Sequence, residues 1–264
     1  MDPLFEFIRT RKALNAYTLQ KERAWKYLYP KEKYRDLRMR HIMSIALEVL
    51  EDFVRNYLSI KDAFYQEKIL TKYLFEHKLN KQAYKKLEKS QVLLDHSTPN
   101  EQYYYHQYEL ELLKLEQLSQ QTRTNDLNIT AVLGNARLFF MITTLRYAYT
   151  ALTQQNLRKV EYDTIPFLEH ILTEVATNDY SAYPLLQVYY HSYYTLKTPE
   201  KVQHFVLLKS YLNHEELSIK EKRFILLICI NYAAKQINLG KIDYAEEALD
   251  LYKYGLESRC IFVE

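Results

Sequence analysis

Apolar residues recur along this chain every three to four positions, and capping residues and prolines punctuate the stretches between. Ile42, Ala46, Val49, Leu50, Phe53, Tyr57 and Leu58 fall on one 3.6-residue stripe, which predicts a long helix buried along that side. Pro30 divides it from a short aromatic helix with Ala24, Trp25 and Leu28. Asp2 and Pro3 supply a cap and a first-turn residue for an opening helix. Helices are predicted next over about 61–78 and 81–94, with Asn80 at the turn. Thr98, Pro99 and Glu101 read as cap, first-position proline and capping-box acid for a helix through Tyr108, Leu112, Leu115 and Leu118. Beyond the polar break Thr122–Asp126, a helix over about 129–153 carries Leu133, Ala136, Phe140 and Tyr147 on one side. Phe139 and Ile142 stand on the other, as expected between two neighbours. The pattern continues over about 166–176 and 182–196. Thr198-Pro199-Glu200 then reads as the start of a helix through Val202, Phe205, Leu208 and Leu212. The capping box Ser218–Glu221 opens another, Gly240 suits a left-handed C-terminal cap, and a last helix carries Ala245, Ala248, Leu249, Tyr252 and Leu256.

About twelve helices joined by short loops predict an all-α chain of antiparallel helix pairs. No Gly/Ser/Pro-rich linker interrupts it. Residues 1–264 therefore read as one helical-repeat domain, with basic, aromatic helices over 1–58 and the most repeat-like part over 181–257. Composition sharpens this. Only 3 of the 264 residues are Gly, and no Asn-Gly or Asp-Gly corner exists for a hairpin. Gly134, Gly240 and Gly255 are too far apart for a phosphate-cradling loop.

Leu196 and Leu239 each end the first helix of a pair, and their separation lies within the roughly 20–50-residue period of stacked helical units. Around Leu239-Gly240 and Ala248, Tyr252 and Gly255, the chain resembles the tetratricopeptide repeat family, clearly over about residues 221–257. In that family a Leu-Gly pair closes the first helix, and small and aromatic residues mark the second. Tyr232 and Ala233 stand at the large and small positions of the first helix. The turn KIDYAE is longer than the family's, and the closing proline is missing. The resemblance implies an α-solenoid that curves as a right-handed superhelix. It implies a non-catalytic scaffold binding a protein or peptide on its concave face, and it brings no catalytic residue and no cofactor.

Candidate chemistry changes the picture little. No nucleophile elbow occurs, and no His-Glu-x-x-His or clustered Cys/His set points to a metal. Glu200 and His204, four apart, are expected to share a helix face; Cys229 reads as a small core residue. Adjacent acids such as Glu51-Asp52, Glu215-Glu216 and Glu246-Glu247 read as solvated faces, so no enzyme is expected. Two cysteines make no disulfide framework, the first residues form no leader and no stretch would span a membrane. A cytoplasmic protein is expected.

The 26 tyrosines stand out. Three in a row, Tyr103 to Tyr105, cannot all face one core. Tyrosines fill helix seams with their hydroxyls wet, or line a binding groove. Tyr190 and Tyr194 are the candidates for the groove, together with Asn231 and Lys235, four apart on the first helix of the clearest repeat. Eleven Lys or Arg residues between Arg9 and Arg40 oppose only Glu22, Glu32 and Asp36, interleaved with Tyr17, Trp25, Tyr27, Tyr29 and Tyr34. Arg35, Arg38 and Arg40 are the candidate polyanion contacts, the basis of an alternative nucleic-acid-binding or regulatory reading. A net charge of only +3 does not by itself imply a polyanion partner, and the basic residues do not recur with each helical turn, so nucleic acid is not the expected partner. A helical enzyme with a scattered site is the remaining alternative. No polar capping helix follows Leu256, and Cys260–Val263 is apolar. That leads to the expectation of self-association through this end, or of a longer protein.

Overall fold

The computed structural model describes residues 3–13, 15–121, 127–158, 161–162 and 164–260, and the chain divides after Gln66 into two compact units. The described residues form twelve α-helices and one 3-10 turn, with no strand. The chain is all-α, as its capping and periodicity require. The polar break at 122–126 and residues 261–263 lie outside the described residues, as does Asp2, the cap expected for the first helix.

The first unit holds α1 (Pro3–Arg9), α2 (Lys21–Leu28) and α3 (Asp36–Lys61), and α4 (Ala63–Glu76) begins in it. Its small core is Leu4, Phe7, Ala24, Trp25, Met39 and Ala46. Trp25 organises it: its Nε1 donates to the Glu32 carbonyl at 3.2 Å, and Tyr29 and Tyr34 lie 4.7 and 5.9 Å from its ring. The stripe on α3 is buried only at Ala46 and half-buried at Ile42. Val49, Leu50, Phe53, Tyr57 and Leu58 are exposed, Phe53 to 62%. The reason is length. Helices of 7 and 8 residues span about 12 Å and cannot cover a 26-residue helix of about 39 Å.

The second unit continues with α5 (Asn80–Asp95), α6 (Glu101–Gln121), α7 (Ile129–Arg158), α8 (Leu168–Thr177), α9 (Pro184–Lys197) and α10 (Val202–Ser210). The 3-10 turn Tyr211–Asn213, α11 (Ile219–Asn238) and α12 (Tyr244–Glu257) complete it. Sequence neighbours pack together: α6 on α7, α9 on α10, α10 on α11, α11 on α12. In addition α7 and α11 each lie against α9. One core runs through all of these, with Ile142, Leu145, Leu186, Val188, Leu208, Ile225, Leu226 and Cys229 fully enclosed. Burial pushes the Cys229 thiol up to about 12, consistent with its small-residue packing role.

Two caps are as the sequence predicts. Ser218 accepts from the Glu221 amide at 3.3 Å. Gly240, at φ +85°, donates to Ile237 while Lys241 reaches back to Gln236, the paired bonds of a Schellman ending. Two others differ. Helix α6 is capped by Asn100, whose Oδ1 accepts from Tyr103 N at 2.9 Å, because Pro99 sits ahead of the helix rather than in its first turn. Thr198 closes α9 instead of opening α10: its hydroxyl and amide both bond the Tyr194 carbonyl. The buried stripes of α7 and α12 are also rotated from expectation. In α7, Leu138, Met141, Ile142, Leu145 and Ala148 face inward while Leu133, Phe140 and Tyr147 are exposed. In α12, Leu251 and Gly255 are buried, Ala248 is half-buried, and Leu249, Tyr252 and Leu256 are exposed.

Tyrosines tie the helix pairs. Tyr232 on α11 donates to the Pro199 carbonyl at 2.8 Å, and Tyr254 on α12 to the Leu212 carbonyl at 2.6 Å. Replacing either by Phe keeps the ring and strands a carbonyl, so each variant should lose about 1 kcal/mol in urea unfolding. Two further Schellman endings place Lys78 and Arg259 at φ 59° and 55°, where a side chain costs about 1–2 kcal/mol. Lys78→Gly and Arg259→Gly should each stabilise the protein by about 0.5–1 kcal/mol, less than the relieved strain because glycine also loosens the unfolded chain.

Candidate functional site

Helices α7, α9 and α11 form a layer, α9 between its neighbours, and one side of it hollows into a groove of about 550 Å³. Helical spacing supplies its walls. Tyr149, Thr153 and Asn156 lie one turn apart on α7. Ile228, Asn231, Tyr232 and Lys235 repeat the pattern on α11, and Thr195 and Leu196 come from α9. The floor is stiff. The Tyr232 ring stacks on Phe205 at 4.4 Å with its hydroxyl bonded to Pro199, and Tyr149 meets Phe224 edge-on at 5.2 Å. Burial pushes the Tyr232 phenol up to about 12 and raises that of Tyr149, so both stay neutral.

The hydroxyls of the two threonines are used within their own helices, Thr153 donating to the Tyr149 carbonyl and Thr195 to that of His191. Asn156, Asn231 and Lys235 are exposed at the rim, and none of their side chains bonds another described residue. The groove thus presents amide donors and acceptors and one positive charge over an apolar floor. No carboxylate lines it. That chemistry holds backbone amides or a carboxylate. It contains no acid–base pair and no activated nucleophile.

Of the four groove candidates read from the sequence, the structure brings Asn231 and Lys235 together here and separates Tyr190 and Tyr194 from them. Those two, half-buried on α9, turn toward α10. Tyr194 stacks on His204 at 4.7 Å, and Tyr190 lies edge-on to His191 and His204. Asn156 and Tyr149 were missed, although their spacing on α7 matches that of the α11 residues.

Between α9 and α10 sits a pair that no spacing rule suggests. His191 Nδ1 and His204 Nδ1 are 3.0 Å apart, each ring less than a tenth exposed. Glu200, expected beside His204 on a helix face, precedes α10 and lies in the turn. Burial lowers both histidines, His191 to about 4. His204 adds to the effect on His191, and Lys201 to that on His204.

In the first unit, Arg38 bonds Glu32 at 3.0 Å with its guanidinium 4.4 Å over the Tyr29 ring, and Arg40 bonds Asp36 at 2.7 Å. Arg35 is the exposed N-cap of α3. Two of the three candidate polyanion contacts therefore already hold carboxylates. Among the described residues no three His, Cys, Asp or Glu side chains converge as a metal site, and no helix is long and apolar enough to cross a membrane. No family model matches the chain, and neither a curated protein nor a solved structure does.

The histidine pair sets a pH dependence. Both rings are neutral when folded, and the unfolded chain takes up protons below about pH 6.5, so stability should hold above that pH and fall from there toward pH 4. Urea midpoints across this range should show that slope, and a His191→Phe/His204→Phe variant should flatten it.

Proposed function

We propose that this chain is a non-catalytic helical-repeat scaffold, cytoplasmic and tetratricopeptide-like, that binds an extended peptide of a protein partner in the α7–α9–α11 groove. The observation that carries the reading is the set of unengaged side chains, Asn156, Asn231 and Lys235, above the fixed Tyr149–Tyr232 floor. An extended peptide exposes alternating amides and carbonyls that two asparagines can bond in either sense. Lys235 adds an attraction for an acidic side chain or a terminal carboxylate. A rigid floor keeps the ordering cost of binding low.

The neighbour pattern supports the repeat half of the reading. Taking α9–α10 and α11–α12 as successive pairs, the first helices meet each other (α9 on α11), and the second helix of one pair meets the first of the next (α10 on α11). Helix α7 on α9 extends the same order one step back. Stacks of this kind curve into extended concave binding surfaces.

The test is selection of peptides on the intact protein from a random library, followed by calorimetry. Selected peptides should be enriched in acidic residues or depend on a free C-terminus. Lys235→Glu should weaken them at least about tenfold, near the 1.4 kcal/mol that one charge-assisted hydrogen bond supplies. Asn231→Ala should cost about threefold to tenfold. Selected peptides that bind Lys235→Glu as well as the parent would overturn the proposal.

A further inference from the structure

One turn-cluster further toward the N-terminus of α11, the same three helices contribute to a second, more polar recess of about 200 Å³. Arg146 on α7, Tyr189 on α9 and Glu221 on α11 lie six or seven residues before the groove residues Thr153, Thr195 and Ile228. The recess is therefore displaced about 10 Å along the helices. Phe224, in edge contact with Tyr149 on one side and Tyr189 on the other, stands between the two cavities. The N-termini of α6 and α11 both open onto this recess, through Asn100–Gln102 and Ser218–Glu221.

Its charges are balanced in number, but only Glu101 and Arg146 are matched to one another. Glu101 is spoken for, since Arg146 bonds one of its oxygens and the Thr143 hydroxyl the other at 3.1 Å. Glu221 is not: it is 8% exposed, and its Oε2 is buried without a hydrogen-bond partner. A carboxylate oxygen withdrawn from water and left bare is costly unless something donates to it. Of the cations at the recess, Lys220 is exposed and bonds no described side chain, and Arg146 has guanidinium N–H groups beyond the one given to Glu101. The first-turn amides of α6 and α11 add partial positive charge. Asn100 and Ser218 cap only Tyr103 and Glu221, so the amides of Gln102 and Lys220 have no intrahelical acceptor.

A simple anion placed here would meet Glu221, and a simple cation would meet Lys220, Arg146 and two helix N-termini. A molecule carrying both charges a few ångströms apart offers a partner to each sign. We propose that this recess is a binding site for a free α-amino acid, its ammonium on Glu221 and its carboxylate on Lys220, Arg146 and the N-termini of α6 and α11. A recess of about 200 Å³ has room for a small amino acid. The inference is independent of the peptide groove.

The experiment is calorimetry and thermal unfolding of the intact protein with a panel of free L-amino acids. N-acetylalanine, alanine methyl ester, acetate and methylamine serve as single-charge probes. At least one small amino acid should bind and raise the melting temperature, and the single-charge probes should bind at least about tenfold more weakly. Glu221→Gln should cost the amino acid about tenfold or more while leaving N-acetylalanine unchanged. Lys220→Ala, at an exposed position, should weaken the amino acid and N-acetylalanine together, and it keeps the proposal testable if Glu221→Gln folds poorly. Lys235→Glu, in the groove, should leave amino-acid binding unaltered. Absence of any binding below about 10 mM would overturn the proposal. So would acetate binding as well as alanine, the mark of a plain anion site, or methylamine doing so, the mark of a plain cation site.

Discussion

A phenol ring buried between helices strands its hydroxyl, and the answer to that constraint shapes the helix pairs of this chain. Tyr232 and Tyr254 each bury an aromatic face and send the hydroxyl across a seam to a carbonyl that no helix uses, at Pro199 and Leu212. Tyr180 instead donates to the Glu174 side-chain carboxylate at 2.8 Å. The two carbonyl acceptors lie in turns or at helix ends, where carbonyls lack intrahelical partners. Each tether therefore fixes where one pair ends relative to the next. The groove inherits its floor from this arrangement. Tyr232 cannot swing out of the layer while its hydroxyl is held and its ring lies on Phe205.

What was legible in the sequence follows from how local the cause is. Ser218 and Gly240 act through bonds to residues two to four positions away, so their roles are written in a few letters. The α-helices themselves are equally local. Stripe phase is not. On α7 and α12 apolar residues occupy most of the circumference, and which of them turn inward depends on helices far away in sequence. The stripe expected along α3 is buried only at Ala46 and in part at Ile42, and nothing in its pattern announces that α1 and α2 are too short to cover the rest. Thr98 and Thr198 mark the converse. Each stands beside a proline as a starting cap would, but Asn100 takes the first role, and the demand of the α9 terminus for a donor takes Thr198.

The site divides the same way. Asn231 and Lys235 share a face because they are four apart on one helix, a local fact. Asn156 joins them only because α7 packs on α9 and α9 on α11. Tyr190 and Tyr194 also share a face, but the opposite side of α9 is claimed by α10, and the two rings are used to enclose imidazoles rather than to line the groove.

The contact of His191 with His204 carries one more consequence. A hydrogen bond between two Nδ1 atoms of neutral rings needs a proton on one of them and a bare lone pair on the other. The two histidines must therefore be opposite tautomers: whichever donates through Nδ1 carries no proton on Nε2, and its partner carries one there. Moving the shared proton across the 3.0 Å gap inverts both rings only if a second proton moves at each Nε2. The seam between α9 and α10 thus has a polarity that the heavy atoms do not display, a direction written in hydrogens alone.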